Sequence, residues 1–389
     1  MCRLCWRSRL CHDWPFGGKR GHYLFGFGRR RVRLNLALQG GGAHGAFTWG
    51  VIDRLLDEGD LDFAWLSATS AGAVNAVALA AGLSEGGKPG ARDKLRSVWA
   101  AVQEAGVPDL LRLNPFLFGM SRSAPMGQVA ASLFSPYEFN PLGFDPLRRL
   151  LMSHIDFEKL RAFADVELLI AATDVETGRM RLFRRHEMTV EAVLASACLP
   201  TIHHAVVIDG RAYWDGGLSA NPDLVTLAAE SPVTDTLIVQ IAPVTKTGIP
   251  KGARDIAFDV NRITFNQPLL RDIELIEAAR DACGWRGRKR SRLARLADHR
   301  FHLVDAGRYT ASLSPETKLR PDQELLSYLH NAGRSETNKW LDRNQAHIGR
   351  RATVDLKSKF LASPGAVSVP APAEDDALPS VPASQGTRI

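Results

Sequence analysis

The chain has 389 residues, 45% apolar and 23% charged, with a formal net charge of +7. That length and apolar share give a globular protein with one large domain or two small ones. No window reaches the roughly 18 to 20 uninterrupted apolar residues that a spanning helix needs. The charge is uneven. Residues 1–33 carry nine Lys or Arg against Asp13 alone, and residues 286–300 carry seven against Asp298. Such runs suit an anionic surface, either lipid head groups or nucleic acid, or simply form a solvated helix face with a basic tail.

In chain order, residues 1–32 form a basic head without helical or strand periodicity. Its Cys2, Cys5 and Cys11, with His12, have no familiar zinc spacing, and the isolated Cys198 and Cys283 imply no disulfide framework. We expect no metal and no cofactor. The head has no apolar core of a secretory signal, so the expected location is cytoplasmic, with peripheral membrane contact left open. From Val32 the run Val-Arg-Leu-Asn-Leu-Ala-Leu reads as a strand entering a sheet. A glycine-rich turn follows, Gly40-Gly41-Gly42-Ala43-His44-Gly45. Then comes a helix over 46–58, with Phe47, Val51, Leu55 and Leu56 at helical spacing and Gly59 as its stop.

Residues 63–67 read as a second buried strand and 70–82 as a small-residue helix, so strand, turn and helix are repeated. Between 107 and 147, Phe116, Phe118, Met120, Phe134, Tyr137 and Phe144 suggest a lid or acyl-binding wall, or an irregular cover over the core. Apolar runs at 167–172, 205–208 and 236–241 are expected strands, and 189–197 an expected helix. This alternation predicts an α/β fold with a largely parallel sheet. Residues 362–389, rich in Pro, Ala and Ser, are expected to be disordered.

The chemistry gathers at three turns. A serine hydroxyl needs a base to take its proton, and its attack on an ester creates an oxyanion that needs preorganised donors. Gly41, Gly42 and Ala43, at the head of a helix, are donor candidates. Ser70, in Ala68-Thr69-Ser70-Ala71-Gly72, sits where a buried strand meets a helix, on an elbow that requires small neighbours. Asp215-Gly216-Gly217 offers a base, or a turn aspartate. Asp209, before Gly210, is a rival, although it reads as the turn of a hairpin.

Gln39-Gly40-Gly41-Gly42-Ala43-His44-Gly45, Thr69-Ser70-Ala71-Gly72-Ala73 and Asp215-Gly216-Gly217 together resemble the patatin-like phospholipase family in order and spacing. The resemblance runs over about 34–222 and more weakly to 348. It implies a three-layer α/β/α fold for a hydrolase domain over 33–348, and hydrolysis of lipid or phospholipid acyl esters by a serine and aspartate dyad. Ser70 would then be the nucleophile and Asp215 the base, and Gly40, Gly41 and Gly42 would line the oxyanion hole. Family members often carry Arg where His44 stands and Gly where Ala68 stands. His44 reads as a surface or helix-capping residue.

Three other readings stand beside this one. His203 or His204 could be the base of a triad, with Asp174 as orienter. Gly40-x-Gly42-x-x-Gly45, with Asp60 about twenty residues on, fits a dinucleotide fingerprint, although Asp60 precedes the second strand. A non-catalytic surface binder would use the basic runs, which lack the aromatic interleaving of single-strand binders, so no nucleic-acid partner is expected. Oligomeric state is not readable from the residues.

Overall fold

The computed structural model describes residues 31–105, 135–246, 248–283, 291–313 and 315–362. The basic head with its cysteines and His12, residues 106–134 of the aromatic segment, residues 284–290 and the chain after 362 lie outside them. The strands are β1 (Val32–Leu38), β2 (Leu61–Ala68), β3 (Glu167–Asp174), β4 (Met180–Arg184), β5 (Val206–Ile208), β6 (Arg211–Asp215), β7 (Asp235–Gln240) and β8 (Arg300–Asp305). They form one sheet in the order β5-β6-β3-β2-β1-β7-β8, with β4 added on β3. The pairings β3–β2, β2–β1, β1–β7 and β7–β8 are parallel, while β4 and β6 pair antiparallel with β3 and β5 antiparallel with β6.

Side chains alternate across a strand, so a central strand that is apolar throughout must be covered on both faces. Leu34, Leu36 and Leu38 of β1 and Leu237 and Val239 of β7 enter one core. Ala37 and Ile238, between them, enter the other. Helices α1 (Gly45–Leu55), α2 (Ala71–Ala105), α3 (Pro146–His154), α4 (Phe157–Ala162) and α5 (Val190–Ser196) contribute to the first core. The second is closed by α6 (Val225–Glu230), α7 (Ala253–Ala282) and α8 (Arg292–Asp298), while α9 (Gln323–Asn344) returns to the first. The result is a mixed α/β fold with a helical layer on each side of the sheet.

The expected elements are present with shifted ends. The helix expected over 70–82 continues to Ala105, bent where Gly86 and Gly87 leave helical geometry. Strand β4, with its two arginines, has no apolar alternation to mark it, and β8 hides a buried His302 in an otherwise apolar run. Packing also passes residue 348, because Leu356 and Phe360 are buried in the second core. The C-terminal ends of β1, β2 and β7 share one edge of the sheet, where parallel strands present their loops to a ligand.

Candidate active site

At that edge Ser70 follows β2 by two residues and has φ of +55°, a left-handed conformation that costs a non-glycine residue about 1–2 kcal/mol. Several bonds hold it there. Thr69 donates its amide to Leu38 O at 3.3 Å and its hydroxyl to Ala220 O at 2.8 Å. The Ser70 amide donates to Ser196 Oγ at 2.9 Å, and the Ser70 carbonyl opens α2 by accepting from Ala73 and Val74. Gly72 has no room for a side chain, since a Cβ there would lie 2.3 Å from Leu38 O. The serine is held on a sharp strand-to-helix elbow.

Sheet register delivers Asp215 to the same place. Strand β2 pairs with β3 only from Glu167 to Ile170, while β6 runs antiparallel along Ala172 to Asp174. Strand β4 occupies the opposite edge of β3 at overlapping positions, so β6 takes up the edge that β2 vacates. Ala68 lies opposite Ile170 and Asp215 opposite Ala172. The aspartate therefore enters two positions, about 7 Å, beyond the end of β2, where Ser70 emerges.

Asp215 is fully buried. Its amide donates to Cys198 O at 2.8 Å, and its carbonyl accepts from Thr173 Oγ1 at 2.8 Å. One carboxylate oxygen accepts from the Gly217 amide at 2.8 Å, while Oδ2 has no hydrogen bond of ordinary geometry. Burial lifts the Asp215 pKa to about 7, against the opposing pull of the Gly217 amide and the Ser70 hydroxyl. A carboxylate in this state is poised to exchange a proton near neutral pH.

The glycine turn packs directly on the elbow, and a Cβ at Gly40 would meet Ser70 Cβ at 2.9 Å. Gln39 fixes its base. The Gln39 side-chain Oε1 accepts from the amides of Ile241 and Ala242 at 2.7 and 2.8 Å, and its Nε2 donates to Asn266 Oδ1. The Gly40 amide donates to Asn221 Oδ1 at 2.8 Å. Its role in the turn is therefore structural, and the donors that open the helical turn Gly42–His44 are the amides of Gly41, Gly42 and Ala43. Gly42 has φ of +58°, and a Cβ there would sit 2.3 Å from Lys318 O. His44 is buried, which corrects its surface reading. Its Nε2 shares a 2.7 Å hydrogen bond with Thr317 Oγ1, and burial, then Lys318, lower its pKa to about 3.

The remaining candidates are placed elsewhere. Asp209 and Gly210, with φ of 49° and 78°, form the exposed turn between β5 and β6, as the hairpin reading expects. Asp174 bonds Thr177 and pairs with Arg211 at 2.7 Å, His203 accepts from the Leu199 amide, and His204 stacks on Tyr137. The proposed orienter thus has partners other than either histidine. Asp60 accepts from the Val32 amide through its carbonyl at the start of β1. That is the end of the sheet away from the glycine turn, so it cannot serve a dinucleotide bound there. Among the described residues there is no group of three or more His, Cys, Asp or Glu arranged to hold a metal. Sequence reasoning assigned no role to Gln39, Asn221, Ser196 or Thr69. They are single polar residues in apolar surroundings, and only the fold shows that all four brace the two turns.

Comparison with known proteins bears on the same segment. A solved structure, VipD from Legionella pneumophila, aligns with 85% of this chain and 73% of its own at 14% identity, with a TM-score of 0.40. No curated protein sequence matches the chain. The family model described as patatin-like phospholipase matches residues 36–228, a span holding the glycine turn, the serine elbow and Asp215. Through that domain the chain belongs to the patatin-like phospholipase family.

Proposed function

We propose that this family member, a lipid ester hydrolase in general terms, works through Ser70 and Asp215. The observation that carries the reading is the pairing of a strained, braced serine with a fully buried aspartate that has one unsatisfied oxygen and a pKa raised to about 7. Asp215 takes the hydroxyl proton as Ser70 Oγ attacks the ester carbonyl. The oxyanion is held by the amides at the head of α1, among Gly41, Gly42 and Ala43, where the helix dipole adds positive potential. Collapse expels the alcohol with the proton from Asp215. Water, activated by the same carboxylate, then releases the acyl group from Ser70. This differs from the expectation drawn from the motif in one respect: Gly40 supports the turn and donates to Asn221.

The substrate class is a lipid or phospholipid acyl ester. The test is labelling with a fluorophosphonate, with the adduct mapped by mass spectrometry in the wild type, Ser70→Ala and Asp215→Asn. Label at Ser70 that vanishes in the alanine variant and slows in the asparagine variant is the expected result. A wild type that does not label, or that labels at another residue, overturns the assignment.

A further inference from the structure

Helix α7 is divided along its length. Its C-terminal half, with Leu269, Ile273, Ile276 and Ala279, packs in the second core. Asn266 is tied to Gln39 at the catalytic edge, and the Phe265 ring lies against Gly217. From there back to Ala253 the helix rises roughly 20 Å further, at 1.5 Å per residue. One side of this extension is anchored. Asp259 is buried and pairs with Lys246 and Arg262, and Arg262 donates to Val244 O. Another side carries Ile256, Val260 and Ile263, at helical spacing and 45, 58 and 47% exposed. Ile249, in the preceding loop, is 85% exposed. Exposed Lys251 lies two residues before the helix and exposed Asp255 in its first turn, while Lys246 is paired with Asp259, so the cation offered beside the apolar side chains is Lys251.

The basic run over 286–300 does not offer this in its described part. Arg292 pairs with Glu230, Arg295 donates to the Ser231 carbonyl and Arg300 holds Asp235. Arg300 and Asp235 begin β8 and β7, at the end of the sheet away from Ser70.

We infer that the N-terminal half of α7 docks on an anionic lipid bilayer. Ile249, Ile256, Val260 and Ile263 enter the acyl boundary, and Lys251 meets the head groups. The inference rests on the hydrolase reading, because it sets the lipid surface beside the edge where Ser70 stands. Apolar side chains with flanking cations bind such a surface additively, through buried area and Coulomb attraction.

The test compares wild type, Ser70→Ala and the triple variant Ile256→Glu, Val260→Glu, Ile263→Glu. Each is co-sedimented with phosphatidylcholine vesicles with and without phosphatidylglycerol and assayed on a soluble short-chain ester. Wild type and Ser70→Ala should bind the anionic vesicles alike. The triple variant should bind about tenfold or more weakly, with unchanged turnover of the soluble ester. Lys251→Glu should weaken binding only where phosphatidylglycerol is present. Unchanged binding by the triple variant overturns the docking surface. So does a wild-type dimer that the triple variant converts to monomer, because the stripe would then be covered by a second copy. Vesicle binding without any Ser70-dependent ester turnover would retain the surface and overturn the hydrolase reading.

Discussion

Two buried aspartates, Asp215 and Asp235, stand at opposite ends of the same sheet and have opposite electrostatics. Asp235, at the start of β7, is 3% exposed. It accepts from Arg300 Nε at 3.0 Å and Nη2 at 2.6 Å, and from the Gly349 amide at 2.8 Å, with His302 Nε2 at 3.2 Å. Burial alone would raise its pKa, but the bonds from His302, Arg300 and Gly349 override it and hold the carboxyl well below the usual range. Asp215 is buried more completely and has one amide donor, one orphaned oxygen and a pKa of about 7. Burial raises both carboxyls, and the donors supplied, a charged guanidinium among them, decide whether that rise is overcome. The fold satisfies one end completely and leaves the other short, beside a serine.

The largest effect that separates the two ends is on turnover. Asp215→Asn should lower kcat by about a thousandfold or more, because it removes the proton acceptor of a unit whose parts act together. Its stability in denaturant should be unchanged or higher, since an unsatisfied buried acid is replaced by a neutral group. Asp235→Asn should do the reverse. Leaving Arg300 without its carboxylate should lower stability by about 2–4 kcal/mol. Fluorophosphonate labelling per folded molecule should stay as in the wild type. If both variants lose activity and stability together, the two aspartates are not functionally distinct.

A pH series divides them next. Asp215 must be ionised to accept a proton, so kcat/KM should rise with pH and level off above about 7. Its pKa is raised on folding, so its contribution to stability is complete below the ordinary carboxylate value near 4 and is lost as pH rises through 7. Activity and stability should therefore move in opposite directions over this window. Asp272, buried near Asp223, is also raised to about 7, so Asp215→Asn should reduce the stability slope without abolishing it. Asp235 acts with the other sign. Its stabilisation is present above pH 4 and lost as pH falls below it, and Asp235→Asn should flatten that acid limb. A kcat/KM profile that is flat from pH 5 to 8 would remove Asp215 as the base.

These ends were unequally legible in the sequence. The strand, glycine turn and helix from Val32 to Leu55 could be read because apolar periodicity and glycines mark them directly, and Ser70 and Asp215 were reached through motif spacing. The Asp235 network could not be read. Arg300 and His302 lie 65 and 67 residues away and are joined to it only by β7–β8 pairing. The bracing by Asn221 and Ser196 is similarly non-local, at separations of 181 and 126 residues. His44 read as a surface or helix-capping residue because a lone histidine in a glycine turn gives no sign of the segment near Thr317 that covers it; it stands at the N-cap of α1 without a side-chain capping bond.

The smallest effect tests the bracing itself. Ser196 is fully buried, and its hydroxyl accepts the Ser70 amide. Ser196→Ala leaves that amide without its acceptor, at about 1–2 kcal/mol. This is comparable to the cost of holding Ser70 in left-handed geometry, so part of the population should relax from the elbow. The labelling rate should fall about tenfold if that relaxation is on the order of 1.4 kcal/mol. Thr236→Val is the matched change at the other end, where Thr236 Oγ1 shares a 2.7 Å hydrogen bond with the His299 ring. It should lower stability by a similar amount and leave labelling untouched. Equal loss of labelling in both variants would mean that the elbow responds to general loosening of the sheet, and that Ser196 has no particular part in positioning Ser70.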